Sequence, residues 1–389
     1  MTVSDGEAPL GKSGGYTRSV TQQARSGGPP MTGARQRVSR AAPTAQPPGL
    51  FDLPTVATTY SLVSLFSGAG GMDLGFRGDF NFLGRYYERN PFNIVWANEL
   101  NPAACRTYRK NVHTAIHEGD IWEHIGTLPE HADVVIGGFP CQDISVNGRG
   151  AGIEGTRSGL YRALVKAVET LNPSLFVVEN VKALKHKNHE ENFRTITSDF
   201  EAHGYVVNHH LYNAADYGVP QTRERVFIVG RRPEVREFVP PAPTLTRDRW
   251  ITARQAMHDL EAHERDEAFS HTWSLAAVSG DQGNRHLVAD RPGYTVRAEA
   301  HGNTHWHYSL PRRMTNREAA RIQSFPDSFV FDAKLRETER MIGNAVPPIL
   351  AWHIARAVAG CLNADERQDG FRGDVDGCMP AVDRPGTRS

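Results

Sequence analysis

Residues 132–145 read ADVVIGGFPCQDIS: a short apolar run closed by two glycines, then a proline against a cysteine, then polar side chains. An apolar run of this length, bounded by turn residues, reads as a strand buried on both faces, the kind found inside a parallel sheet. A cysteine kept for packing belongs inside such a run. Cys141 stands just past its end, where a strand hands over to a loop.

The same pattern recurs outward from this stretch. SLVSLF (61–66), IVWA (94–97), LFVV (175–178) and VFIV (226–229) are further strand candidates. Leu160, Leu164, Val168 and Leu171 recur at helical spacing, and Pro347-Pro348 opens a last helix with Leu350, Ile354, Val358 and Cys361 on one face. Strands alternating with helices predict an α/β fold built on a doubly wound, mostly parallel sheet. The chain divides into a leader rich in Gly, Pro, Ser and Arg (1–57), a sheet-bearing domain (58–241), a stretch of prolines and histidines with few apolar runs (242–311), a return to the first domain (312–362) and a polar tail (363–389). Leader and tail are expected to be disordered.

Composition excludes several classes. Forty-four Lys and Arg balance forty-four Asp and Glu among 389 residues, so the bulk charge is not that of a nucleic-acid binder. A polyanion would have to meet a local patch, and seven Arg with four His lie between Arg285 and Arg321. Cysteines at 105, 141, 361 and 378 form no Cys-x-x-Cys pair, which argues against a disulfide framework and structural zinc and suits a reducing cytosol. No secretory signal and no membrane-length apolar run is apparent.

In doubly wound sheets, ligands bind beyond the carboxyl ends of the strands. The first strand runs into FSGAGG (66–71), where glycines would let backbone N–H groups approach a ligand. The next ends at Glu99, suited to ribose hydroxyls; Gly119-Asp120 offers another acceptor; the others end at Pro140-Cys141 and at Glu179-Asn180-Val181. Singly, a glycine turn is an ordinary tight turn and Glu179 an ordinary surface carboxylate; their convergence on one sheet edge carries the argument. QTRER (221–225) precedes its strand, so Arg223 and Arg225 reach that same edge only if this strand runs antiparallel to the rest.

Together these motifs resemble the DNA (cytosine-5) methyltransferases of prokaryotic restriction-modification type, over nearly all of residues 61–362 and in the family's order: FSGAGG with LGF (74–76), GGFPCQDIS, ENV (179–181), QTRERVFIVG (221–230), RRMTNREAARIQSFPD (312–327) and GNAVPP (343–348). The resemblance implies a class I S-adenosylmethionine-dependent methyltransferase fold with a small target-recognition domain at 242–311. It implies Cys141 as the nucleophile that adds to C6 of a flipped-out cytosine, Glu179 bonded to N3 and the amino group, and Arg225 with Arg223 contacting the base and orienting Glu179. S-adenosyl-L-methionine, without a metal, is the implied cofactor, held by Phe66, Gly68, Gly70, Gly71, Glu99, Asp120, Ile121, Pro140, Leu160, Asn344 and Val346. Gln142 and Ser145 belong to the loop over the DNA, Thr295-Val296 looks like the family's recognition-domain pair, and Arg297, His301, Asn303 and His305 are the candidates for base edges. The implied partner is double-stranded DNA, with a cognate restriction endonuclease acting in parallel without a stable complex, and the protein is expected to be a cytoplasmic monomer. Two positions depart from the family: Ser64, where many members carry Asp, and Thr222, often a basic residue.

Three rival readings stay open on sequence alone. A nicotinamide-dependent oxidoreductase shares a glycine turn but leaves Pro140-Cys141, Glu179 and GNAVPP unexplained. An RNA methyltransferase shares the fold, and FPCQDIS with the Arg/His-rich segment favours DNA. A non-catalytic DNA-binding relative has no need of Cys141, Glu179 and Arg225 together.

Overall fold

A computed structural model of the chain describes residues 59–139, 159–185, 189–275, 285–298 and 305–363. All of them belong to the unit Val56–Ser389. The predicted leader and nearly all of the predicted tail lie outside the described residues. In chain order the elements are β1 (Tyr60–Leu65), α1 (Gly71–Arg77), β2 (Phe80–Phe82), β3 (Arg85–Tyr87), β4 (Phe92–Glu99), α2 (Pro102–Asn111), β5 (His117–Glu118), α3 (Ile121–His124), β6 (Val134–Gly138) and α4 (Gly159–Leu171). There follow β7 (Leu175–Val181), α5 (Glu190–Ala202), β8 (Val206–Asn213), β9 (Glu224–Arg231), α6 (Ala253–Met257), α7 (Asn316–Ile322), α8 (Leu335–Asn344) and α9 (Pro348–Leu362).

Seven strands form one sheet in the order β5-β4-β1-β6-β7-β9-β8, with β2 and β3 a separate antiparallel pair. Strands β5, β4, β1, β6 and β7 are mutually parallel, and β9 runs against both β7 and β8. The doubly wound, mostly parallel sheet read from the sequence is therefore present. Apolar residues fill both faces because side chains alternate along each strand. Leu62, Ile136, Val177 and Val229 pack into the cluster that contains α1 and α9 residues, whereas Val63, Val135, Val178 and Ile228 pack into the one that contains α4 and α5 residues. β1 lies between β4 and β6, so the chain steps to one side of β1 and then to the other, and a crevice opens at the carboxyl edge where the order reverses.

Helices form where sequence signals place them. Leu164, Val168 and Leu171 are the buried stripe of α4, and Pro348 opens α9 with Leu350, Ile354, Val358 and Cys361 buried. The stretch Leu335–Leu362 is long and apolar enough to pass for a membrane span, but 72% of its apolar window is buried in the protein, and it is broken between α8 and α9. β8 was not apparent in the sequence: VVNHHLYN carries two His and two Asn, and it is an edge strand whose exposed positions need not be apolar. Between residues 242 and 311 the described chain holds one α-helix, α6, two single 3₁₀ turns and isolated bridges.

Helices α1 and α9 meet at a glycine. A Cβ on Gly75 would lie 2.4 Å from the Ala351 Cβ, 2.5 Å from the Pro348 carbonyl oxygen and 2.8 Å from the Trp352 nitrogen. Two of these are backbone atoms that cannot turn aside. Gly75→Ala gains at most about 1 kcal/mol of helix propensity, less than the about 1–3 kcal/mol of overpacking. We expect the variant to unfold at lower denaturant concentration than the parent, with an unchanged m-value.

Candidate active site

The carboxyl end of β1 turns sharply. Phe66 adopts a left-handed backbone (φ 57°), as do Gly68 (φ 56°) and Gly70 (φ 91°); for Phe66 that conformation costs of order 1 kcal/mol and persists only because neighbours hold it. Glu99, at the end of β4, is one of them. Its Oε2 accepts from the Gly68 N–H at 2.9 Å and its Oε1 from the Asn101 N–H at 2.8 Å. The sequence reading had these glycines offering N–H groups to a ligand, and the structure revises it: the Gly68 N–H is spent on Glu99 and the Gly70 N–H on the Ser67 carbonyl at 2.9 Å. Gly70 is glycine because Val112 and Tyr108 atoms lie 2.5 and 2.9 Å from where a Cβ would stand, and Gly71 because the Val346 carbonyl lies 2.5 Å away. Of these three, Gly68 alone presents its missing side chain to open space.

That open space is a cavity of about 790 Å³ along the carboxyl edge of the sheet. Of the expected cofactor residues, Phe66, Gly68, Gly71, Glu99, Asp120, Ile121, Leu160, Asn344 and Val346 line it; Gly70 does not, and Pro140 lies outside the described residues. The donor set fits a positively charged nucleoside. Glu99 has one lone pair per oxygen taken by backbone N–H groups, leaving others for hydroxyls; Phe66, Ile121 and Leu160 supply apolar wall. Burial raises the Glu99 carboxyl above its ordinary value, held back by the N–H groups of Asn101, Gly68 and Leu100. Among the described residues no cluster of His, Cys, Asp or Glu is placed to hold a metal ion.

Glu179 sits at the next strand end. Gly138 of β6 is in register with it, and a Cβ there would stand 3.1 Å from the Glu179 Oε2, so the glycine makes room for the carboxylate. Because β9 is antiparallel to β7, Val181 pairs with Arg225, and the Arg225 Nε approaches the Glu179 Oε1 at 2.8 Å. Both side chains are nearly buried, 11% and 12% exposed, and both line the cavity. Burial lifts the Glu179 carboxyl above its ordinary value, with Arg225 and Arg223 pulling it down. The pair is therefore a buried ion pair in which desolvation outweighs attraction. Asn180, to which the sequence reading gave no role, donates from Nδ2 to the Phe139 carbonyl at 3.1 Å and so pins the chain as it leaves β6.

Arg223 departs from expectation. It lines the cavity, yet both Nη atoms of its guanidinium are committed to the backbone, Nη1 donating to the Val296 carbonyl at 2.9 Å and Nη2 to those of Gly343 and Ala345 at 2.8 and 3.0 Å, while its Nε has no hydrogen-bond partner among the described residues. Next to it, Gln221 accepts from the Val296 N–H at 3.0 Å and donates to the Ile322 carbonyl at 3.2 Å. Thr295 spends its hydroxyl on the Thr222 carbonyl at 2.8 Å. Arg297 is exposed; His305 is largely enclosed, its pKa lowered to about 4 by burial and by Arg285, Arg297 and Arg313, so its ring is uncharged at neutral pH. Cys141, Gln142, Ser145, His301 and Asn303 lie outside the described residues. The two cysteines that are described, Cys105 and Cys361, are buried and free, their thiols pushed up to about 12 and about 11, which makes them poor sources of thiolate.

Comparison with known proteins follows the same geometry. The family model for C-5 cytosine-specific DNA methylases matches residues 60–275 and 254–360. The type II methyltransferase M.NgoFVII of Neisseria gonorrhoeae is 36% identical over 333 residues, covering 76% of this chain and 86% of that protein. The type II methyltransferase M.BbvI of Brevibacillus brevis is 34% identical over 334 residues, covering 76% of this chain and 89% of that protein. Among solved structures, the Dnmt2 methyltransferase of S. pombe superposes with a TM-score of 0.56 at 18% identity, covering 78% of this chain and 99% of that one, a likeness of fold.

Removing Arg225 leaves Glu179 buried without its counter-charge. Burial already sets the folded-state pKa of Glu179 above the unfolded one, so stability is lost as pH rises from the unfolded value through the folded value. Arg225→Met widens that window. We expect urea unfolding to show a loss of about 3–5 kcal/mol at pH 8 and a smaller loss as pH is lowered, since protonation relieves the uncompensated charge.

Proposed function

The chain belongs to the C-5 cytosine-specific DNA methylase family and is a DNA cytosine-5 methyltransferase; we propose that it is the modification half of a type II restriction-modification system, methylating one cytosine in a short duplex sequence through a covalent bond to Cys141. The observation that supports this best is the Glu179–Arg225 pair, 2.8 Å apart in the wall of the cavity, one strand over from the β6 end that leads into Cys141.

Cytosine is a poor nucleophile at C5. In this reading the Cys141 thiolate adds to C6, and Glu179, bonded to N3 and the exocyclic amino group, draws off the electron density that would otherwise remain on the ring. A carboxyl whose burial favours the protonated form can give N3 a proton as the C6–S bond forms. Arg225 holds the carboxylate in the orientation that reaches the base. Glu99, Asp120 and the Phe66 turn would hold S-adenosyl-L-methionine, whose sulfonium would make a methyl group available to C5. As C5 takes the methyl group, N3 returns its proton to Glu179, and loss of the C5 proton to solvent with departure of the Cys141 thiolate from C6 then restores the aromatic ring.

The target lies inside a duplex and must be swung out, at the cost of its stacking and pairing. Residues 242–311 would read the flanking base edges, with Arg297, His301, Asn303 and His305 the candidates and Gln142 and Ser145 on the loop that folds over the DNA. Arg223, with its guanidinium committed to carbonyls, acts in this scheme by holding that segment in place. The protein would work as a cytoplasmic monomer alongside, not bound to, a cognate endonuclease.

Bisulfite sequencing of duplex DNA from a host expressing the protein should reveal protected cytosines within one recurring short sequence. Cys141→Ser should abolish them, and Glu179→Gln should slow methyl transfer by about 10²–10⁴-fold, the usual contribution of a positioned proton donor. Unmodified DNA with well-folded enzyme, full activity of the Cys141→Ser protein, or a preference for transfer RNA over duplex DNA in a competition assay would overturn the proposal.

A further inference from the structure

Four arginines line the cavity, and two of them are already engaged. Carbonyls hold both Nη atoms of Arg223, and Arg225 is held by Glu179 and the Glu224 carbonyl. Arg336 and Arg340 are different: each is exposed, and neither forms a hydrogen bond or ion pair with a described residue. They stand one turn apart on α8, where residues four apart are neighbours on the helix surface. Glu337 is half-buried and likewise unpaired among the described residues. With about 100° between successive residues, Arg336, Glu337, Arg340 and Asn344 fall within one arc of about 100°, and all four border the cavity.

The helix that carries this charged face is tied down at both ends. The chain entering α8 bonds to α2: Asn111 Nδ2 donates to the Val330 carbonyl at 2.8 Å, the Asp332 N–H donates to the Thr107 hydroxyl at 3.0 Å, and Lys110 Nζ pairs with Asp332 at 3.0 Å. The chain leaving α8 packs on α1, with the Val346 carbonyl 2.5 Å from where a Cβ on Gly71 would stand. α2 follows Glu99 and α1 follows the Phe66 turn. The face of α8 therefore borders the cavity beside the two strand ends that fit a nucleoside.

We propose that Arg336 and Arg340 bind the carboxylate of the methyl donor's amino-acid arm, with Glu337 beside them for its ammonium group. The proposal rests on the methyl-transfer reading. A sulfonium carries three substituents. In that reading one is the nucleoside, at Glu99 and Asp120, and another is the methyl group, which must face the Glu179–Arg225 end. The third is a zwitterionic amino acid whose carboxylate needs a cation. Among the described residues lining the cavity, Arg336 and Arg340 are the cations that have no partner of their own. A guanidinium also matches a carboxylate in shape, donating two parallel N–H bonds to its two oxygens.

Isothermal titration of the full chain with S-adenosylhomocysteine and with 5′-methylthioadenosine tests this, because the second is the same nucleoside thioether with its amino-acid arm cut back to a methyl group. The parent should hold the first more tightly, and the preference should shrink between about 0.1 M and about 1 M salt, since exposed charges are screened. The Arg336→Gln/Arg340→Gln double variant should lose about tenfold in S-adenosylhomocysteine affinity while holding 5′-methylthioadenosine within about twofold of the parent. Glu337→Gln should cost the first ligand about threefold. Each single arginine substitution should give part of the loss, so the singles decide if the double variant does not fold. Equal losses for both ligands, no loss for either, or a loss confined to duplex DNA affinity, which would assign the pair to phosphates, would each overturn the proposal. Binding of neither ligand by the folded parent would sink the methyl-transfer reading itself.

Discussion

The antiparallel course of β9 against β7 is the constraint on which the rest of the site depends. In an all-parallel sheet the segment before β9 would emerge at the far edge. Because the strand is reversed, its beginning arrives where β7 ends, with Val181 opposite Arg225 and Glu179 opposite Phe227. A guanidinium and a carboxylate from chain positions 46 apart then meet at 2.8 Å in the wall of one cavity. The buried Phe227 and Val229 on one side and Val226 and Ile228 on the other hold that register, since a slip of one residue would send each of these apolar side chains to the wrong face of the sheet.

Desolvation gives the cavity its chemical character. Glu99, Glu179, Asp73 and Glu339 all line it, and burial raises the carboxyl pKa of each. Partners hold three of them in part: backbone N–H groups for Glu99, Arg225 for Glu179, the Tyr108 hydroxyl for Asp73. Residues so placed weaken the fold, and functional sites are where such weakening concentrates. The apolar clusters on the two sheet faces offset it.

Much of this was legible in the amino-acid order. The central strands announced themselves because a parallel sheet covered on both faces needs continuous apolar runs, and the strand-end residues Glu99, Glu179 and Asp120 fell at the cavity because topology places every such end on one edge. The edge strand β8 did not, since half-exposed positions such as His209 and Asn208 erase the pattern that reveals inner strands. Arg223 reaches the cavity, as the reversal of its strand implied, but the base contact that the resemblance gave it could not show that three carbonyls from Val296, Gly343 and Ala345 converge on its guanidinium. Asp73 and Glu339 were invisible for a similar reason: in sequence they are ordinary helix carboxylates, and only folding removes their water. Cys141, which drew attention first, sits in a segment outside the described residues, so its place in the argument rests on the strand end beside it.

The bonds made by Gln221, Thr222 and Arg223 have a bearing on how freely the segment they hold can vary in sequence. They grip the segment from Gly293 to Val296 almost wholly through its main chain: the Gly293 carbonyl accepts from the Thr222 N–H, the Val296 N–H donates to Gln221, and the Val296 carbonyl accepts from Arg223. A socket that holds peptide groups is indifferent to most side chains mounted on them. Side chains along that stretch can change while the same few amides still seat it, without disturbing the Glu179–Arg225 pair in the cavity wall.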